Sequence, residues 1–98
     1  MIMLYWVMYD ISDDKVRNEA VKECKNKGLY RVQKSIFLGE LNKNEKDELK
    51  IKMEMIADIK TDSIYIFPTS KEMLYDTDII GKGFDKELVA NDIVSKFI

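Results

Sequence analysis

Residues 2–10 read IMLYWVMYD: eight apolar side chains in succession, then an aspartate. Alternate residues of a strand point to opposite faces, so a run that is apolar on both parities is buried on both. This stretch is therefore expected to be the central strand of a sheet, with Asp10 at its C-terminal end. Asp13 and Asp14 follow at once. Acids in a first helical turn suit the positive end of the helix dipole, so Ser12 or Asp13 is expected to cap a helix that starts there. Asp10 stands apart from that pair, on the strand face shared by Leu4, Trp6 and Met8.

Downstream, Val16, Ala20, Val21 and Cys24 recur at helical spacing, Lys25 and Lys27 sit at the negative end, and Gly28 is a natural stop. Residues 29–38, LYRVQKSIFL, read as a second strand that Gly39 breaks. Val32, Ile36 and Leu38 share one face with Tyr30 and Lys34; Arg31, Gln33, Ser35 and Phe37 form a mostly polar second face. Asn42 opens a second helix, with Glu45 placed for a capping box and Leu49, Met53 and Ile56 as its buried stripe. Residues 63–67, SIYIF, are a third strand ended by Pro68. A short turn around 71–75 leads to a fourth strand at 78–80, stopped by Gly81 and Gly83.

The expected order is β-α-β-β-α-β, an α+β fold of the ferredoxin-like kind: an antiparallel sheet with both helices on one face. Its other face, carrying half of the central strand's apolar side chains, needs a cover. A second copy of the sheet is the simplest one, so a sheet-to-sheet homodimer is expected. Residues 1–83 make the domain. Residues 84–98, helical or extended, carry Phe84, Leu88, Ile93 and Phe97 and are expected to dock on the dimer.

The chain has no histidine, which removes imidazole bases, His-containing triads and the usual zinc and iron sites. Any metal would be held by oxygen, favouring magnesium, manganese or calcium. Cys24 is the only cysteine, so no internal disulfide forms, as suits a reducing compartment. Residues 1–9 are too short to span a bilayer and lack the marks of a signal peptide, so a cytoplasmic protein without membrane contact is expected. The formal charge of −2 hides an asymmetry. Between Lys15 and Lys34 lie seven basic residues, including both arginines, against Glu19 and Glu23, which makes that window +5 and the remainder −7. The window is either a solvated helix surface or a footprint for phosphates.

Three blocks, "MYDI" after the apolar strand, "GLYRVQKSIFLGEL" and "TDSIYIFP", occur in this order in the chain. Together they resemble the CRISPR-associated protein two family, the small partner of the CRISPR integrase. The pattern Arg31, Gln33, Ser35, Phe37 is the most specific part. The resemblance implies a ferredoxin-like homodimer and metal-dependent cleavage of RNA or DNA. It implies Asp10 as the catalytic residue and metal ligand, with one Mg²⁺ (or Mn²⁺) shared between the Asp10 side chains of two subunits. Tyr9, Arg17, Arg31 and Phe37 match positions that support nucleic-acid handling in that family. Glu19 departs from the basic residue the family often carries near that position.

Read from the residues alone, Tyr9 and Phe37 suit core or dimer-interface aromatics better than base-stacking platforms, and Arg31 and Gln33 suit hydrogen bonds across a dimer. Ser35 has no base beside it to activate it as a nucleophile. The leading functional expectation is a CRISPR adaptation protein that takes part in spacer acquisition with the integrase subunit, with Mg²⁺-dependent phosphodiester hydrolysis through Asp10. The alternatives are a non-catalytic DNA-binding scaffold bridging integrase dimers, a toxin-type endoribonuclease of the virulence-associated protein D kind, and an interaction module that binds no nucleic acid.

Overall fold

The computed structural model describes residues 2–88. β1 (Ile2–Asp10), α1 (Asp14–Asn26), β2 (Tyr30–Gln33), β3 (Ile36–Asn42), α2 (Lys43–Ile56) and β4 (Ser63–Thr69) follow one another in the β-α-β-β-α-β order of the expected fold, whereas the segments expected from the sequence would run β-α-β-α-β-β; then come α3 (Lys71–Asp76) and a single turn, α4 (Lys86–Leu88). The strands form one sheet ordered β2-β3-β1-β4, with every neighbouring pair antiparallel. β1 is central: Val7 lies between Phe37 and Ile66, and Trp6 between Leu38 and Phe67. No helix among the described residues is long and apolar enough to cross a membrane.

Both long helices cover one face. Ala20 and Cys24 of α1 and Leu49 and Met53 of α2 pack over Val7, Tyr9, Phe37 and Leu41. Each large apolar side chain buried there contributes about 1.5–3 kcal/mol relative to exposure. Asp13 caps α1, its side chain accepting from the Lys15 amide at 3.3 Å. The helix ends in a Schellman motif: Gly28 sits at φ +76°, its N–H bonds to Lys25 O, and Leu29 N–H bonds to Cys24 O. α2 has the expected capping box, with Glu45 N donating to Asn42 Oδ1 at 2.8 Å and Asn42 N donating to Glu45 Oε1 at 2.9 Å.

The 29–38 run is two strands, which corrects the reading of it as one. β2 and β3 form a hairpin turning at Lys34 and Ser35. Tight hairpins ordinarily announce themselves with Asn-Gly or a similar pair, because the favoured turns need positive φ. Here no non-glycine residue has positive φ among the described residues. A register shift between Arg31 and Gln33 absorbs the misfit between this turn and the strand twist. Gly39 does not break the strand either; it lies within β3 opposite Tyr5. A Cβ at Gly39 would come to 2.8 Å of Leu29 Cδ2 and 3.3 Å of Leu29 Cα, so the glycine exists to let the chain after α1 pass closely over β3.

Two further expectations are corrected. Residues 78–80 form no strand, the fourth strand being β4 itself. Pro68 does not end β4, which runs on to Thr69; on an outer strand the missing N–H breaks no ladder bond. The second sheet face is also not bare of helix. Leu74 of α3 is fully buried against Leu4, Trp6 and Leu38, and Phe84 meets Trp6 edge to face at 5.7 Å. Much of that face stays open nonetheless, with Tyr65 60% and Phe67 38% exposed beside it. The expectations for residues 89–98 lie outside the described residues.

Gly39→Ala is expected to cost about 1–3 kcal/mol through overpacking against Leu29, read as a lower Tm. Glu40, opposite Leu4, gives a pH test, because burial holds its carboxyl above the ordinary range. A raised carboxyl favours the neutral acid, so its stabilising contribution is full below the ordinary range and lost as pH rises through the folded value. Glu40→Gln should therefore raise Tm at neutral pH, and the gain should vanish by about pH 4.

Candidate functional site

The C-terminal end of β1, the β2–β3 turn and the start of α1 converge on one end of the sheet. Asp10 is the last residue of β1 and is exposed. Its Cα lies opposite Ser63 of β4, while on the other side the Tyr9 amide donates to Ser35 O at 3.1 Å. Strand alternation puts the Asp10 side chain on the face of Trp6 and Met8, away from the helices. Among the described residues it makes no hydrogen bond or ion pair, and no three acidic or cysteine side chains gather into a cluster that could hold a metal. One chain thus offers one free carboxylate here, a hard oxygen donor of the type magnesium and manganese accept alongside water.

Tyr9, Phe37 and Arg31 come together on the opposite face. Tyr9 and Phe37 are buried under the helices and stack at 6.3 Å between centroids. They are core aromatics, closed to direct stacking on a nucleotide base. The Tyr9 hydroxyl donates to Lys34 O at 2.9 Å, and Arg31 donates to the same oxygen from Nε at 3.1 Å and Nη2 at 2.7 Å. A single backbone carbonyl therefore gathers three donors and fixes a turn that has no glycine to shape it. The exposed Arg31 guanidinium also lies over the Phe37 ring, 5.7 Å from its centroid. Burial raises the Tyr9 phenol above its ordinary value, with the Arg31 charge opposing.

Arg17 braces the corner between β1 and α1. Its Nη1 donates to Ile11 O at 2.9 Å and its Nη2 pairs with Asp14. Of the basic window, Lys27 is taken up structurally, joining Glu48 of α2 at 2.5 Å and holding that carboxyl below its ordinary value. Lys15, Lys22, Lys25 and Lys34 remain exposed. Cys24 is fully buried and its thiol is pushed up to about 12, so it is a packing residue.

One residue of the site was given no role in the sequence reading. Asp62 accepts from Asp58 N at 2.9 Å, Thr61 Oγ1 at 3.1 Å and, fifty residues away, Ser12 N at 3.2 Å. These donors, the backbone amides foremost, hold its carboxyl below the ordinary range. An aspartate just before a strand is a common loop residue; only the long-range bond to Ser12 marks it, and spacing along the chain does not encode that bond.

A family model described as CRISPR associated protein Cas2 matches residues 3–76. The chain is 42% identical over 66 residues to the CRISPR-associated endoribonuclease Cas2 1 of Archaeoglobus fulgidus, spanning 67% of this chain and 70% of that protein. It is 34% identical over 77 residues to the CRISPR-associated endoribonuclease Cas2 of Korarchaeum cryptofilum, spanning 79% and 83%. The crystal structure of Streptococcus pyogenes Cas2 superposes with a TM-score of 0.70 at 28% identity, covering 81% of this chain and 100% of that one. A hypothetical protein of Thermus thermophilus gives 0.71 at 28% identity, covering 85% and 95%.

The geometry of the turn is open to a direct check. Tyr9→Phe removes one of the three donors to Lys34 O and leaves the ring stack in place. It is expected to lower stability by about 0.5–1.5 kcal/mol, because the carbonyl keeps the Arg31 bonds.

Proposed function

The chain belongs to the CRISPR associated protein Cas2 family, and from that premise we propose that it is a metal-dependent nuclease of the CRISPR system acting through Asp10. The observation that carries the reading is the free, exposed carboxylate at the end of the central strand. It is flanked by the fixed β2–β3 turn and stands next to the chain's basic window. Relatives at 42% and 34% identity bear the name endoribonuclease, which supports cleavage of phosphodiester bonds.

In this reading the second sheet face pairs with its own copy. Tyr65, Phe67 and the 98% exposed Ile80 leave apolar surface there for a partner to cover. Asp10 and its copy in the second subunit would hold one Mg²⁺ or Mn²⁺ through their carboxylate oxygens, and the ion would supply a water of lowered pKa and positive charge against the phosphate oxygens. Hydrolysis joins a water oxygen to phosphorus, the water giving up a proton to solvent, and breaks the bond to the leaving sugar oxygen, which takes up a proton from solvent. Arg31 and the exposed lysines hold the phosphate backbone. Arg17, tied to Ile11 O and Asp14, keeps the corner in shape rather than reaching for substrate. In the cell this dimer works beside the integrase subunit in acquiring spacers.

A second reading, a DNA-binding scaffold for the integrase that needs no catalysis, is favoured by the solitary state of Asp10 within one chain. One experiment separates the two. Labelled RNA, single-stranded DNA and duplex DNA are incubated with wild type and Asp10→Asn, with Mg²⁺ or with chelator. Cleavage by wild type should fall on the order of a hundredfold or more in Asp10→Asn and in chelator. Equal cleavage by both proteins would remove Asp10 from the chemistry. Spacer acquisition retained by an inactive Asp10→Asn would make the scaffold the biological role.

A further inference from the structure

The side chain of Asp10 has no partner among the described residues, so its placement comes wholly through its backbone. The pairing of Asp10 with Ser63 is the last rung between β1 and β4. Last rungs fray unless something beyond them holds. Beyond this one, Ile11 is buried and its carbonyl is held by Arg17, and the Ser12 amide is held by Asp62. The Asp62–Ser12 bond is in effect one more rung between the same two chain segments, made by a side chain where the ladder has ended.

Asp62 is also anchored on its own side. Its second oxygen accepts from Asp58 N, closing the loop between α2 and β4. A residue serving that loop alone would have no use for a bond to a segment fifty residues away. The carboxylate instead couples two loops that flank Asp10: Oδ2 accepts from Asp58 N within its own loop, and Oδ1 accepts from Ser12 N of the corner as well as from Thr61 Oγ1 beside it.

We infer that Asp62 is a positioning residue that holds the Ser12 corner and thereby sets where Asp10 presents its carboxylate. The inference rests on the proposed role of Asp10. A misplacement of about 1 Å at a reacting group is enough to cost on the order of a hundredfold in rate.

The test compares wild type, Asp62→Ala, Asp62→Asn and a Thr61→Ala control by cleavage kinetics and by amide hydrogen exchange. Asp62→Ala is expected to lower kcat about 10–100-fold with KM little changed, and to raise the Mg²⁺ concentration needed for half activation. Exchange should quicken at residues 10–12 while Trp6 and Val7 stay protected. Asp62→Asn, which keeps one acceptor oxygen, should fall between wild type and alanine, and it decides the matter if the alanine variant does not fold. Thr61→Ala, which removes one side-chain donor to Asp62 Oδ1 and leaves the Ser12 bond, should change kcat and exchange at residues 10–12 far less than Asp62→Ala. If exchange quickens only at 58–62, or if kcat and the Mg²⁺ midpoint stay at wild-type values while Tm drops, Asp62 is a loop brace and the inference is overturned. A wild type that cleaves nothing defeats the proposed nuclease, and the exchange at residues 10–12 still decides whether Asp62 holds the corner.

Discussion

β1 is bounded on every side, though one of its faces stays partly open. Its backbone is hydrogen-bonded to β3 and β4, one face is roofed by α1 and α2, and the other meets Leu74 and Phe84. β3, β4 and the two long helices are placed by what they must cover on this strand, and β2 is carried by its pairing with β3. α1 and α2 are positioned by Val7 and Tyr9, and β3 is registered so that Phe37 falls beside Val7. A one-residue slip in that pairing would exchange the two faces, setting Phe37 among the side chains of Leu4 and Trp6. The aspartate that follows is where this confinement ends. Asp10 is exposed because it lies one residue past the helix-covered Tyr9 and on the opposite face.

The site therefore has two sides that do different work. On the helix side Tyr9, Phe37 and Arg31 build a rigid support around one carbonyl, that of Lys34. On the open side Asp10 faces outward with nothing attached. Residues adjacent in the chain are split between a buried support and an open face by the simple alternation of a strand. That division explains why buried aromatics and an exposed acid belong to one site without touching. It also gives Arg17 its place, since a guanidinium bound to Ile11 O and Asp14 stiffens the same corner from the helix end.

Much of this was legible in the sequence because the signals were local. The central place of residues 2–10 in the sheet, the Asn42–Glu45 capping box and the Gly28 stop each depend on a few neighbouring residues, and each stands as expected. The hairpin within 29–38 was not legible. Its turn is Lys34–Ser35, and what shapes it is a carbonyl bound by Tyr9, twenty-five residues away, together with Arg31. Gly39 misled for a related reason: glycine ordinarily marks a break, whereas here it clears space for Leu29. Asp62 escaped because its meaning lies in a bond to Ser12. In each case the deciding contact joins segments that the sequence holds far apart.

Cys24 carries a consequence for how the molecule opens. It is the chain's one thiol, wholly enclosed between α1 and the sheet, and burial pushes it up to about 12. A thiol reagent at neutral pH therefore meets neither an accessible sulfur nor a thiolate in the closed protein. Reaction must wait until α1 lifts from Leu29 and Phe37, so the labelling rate becomes a clock for that single event. This enclosed side chain is in this way a built-in gauge of how firmly the helix layer grips the strand that ends in Asp10.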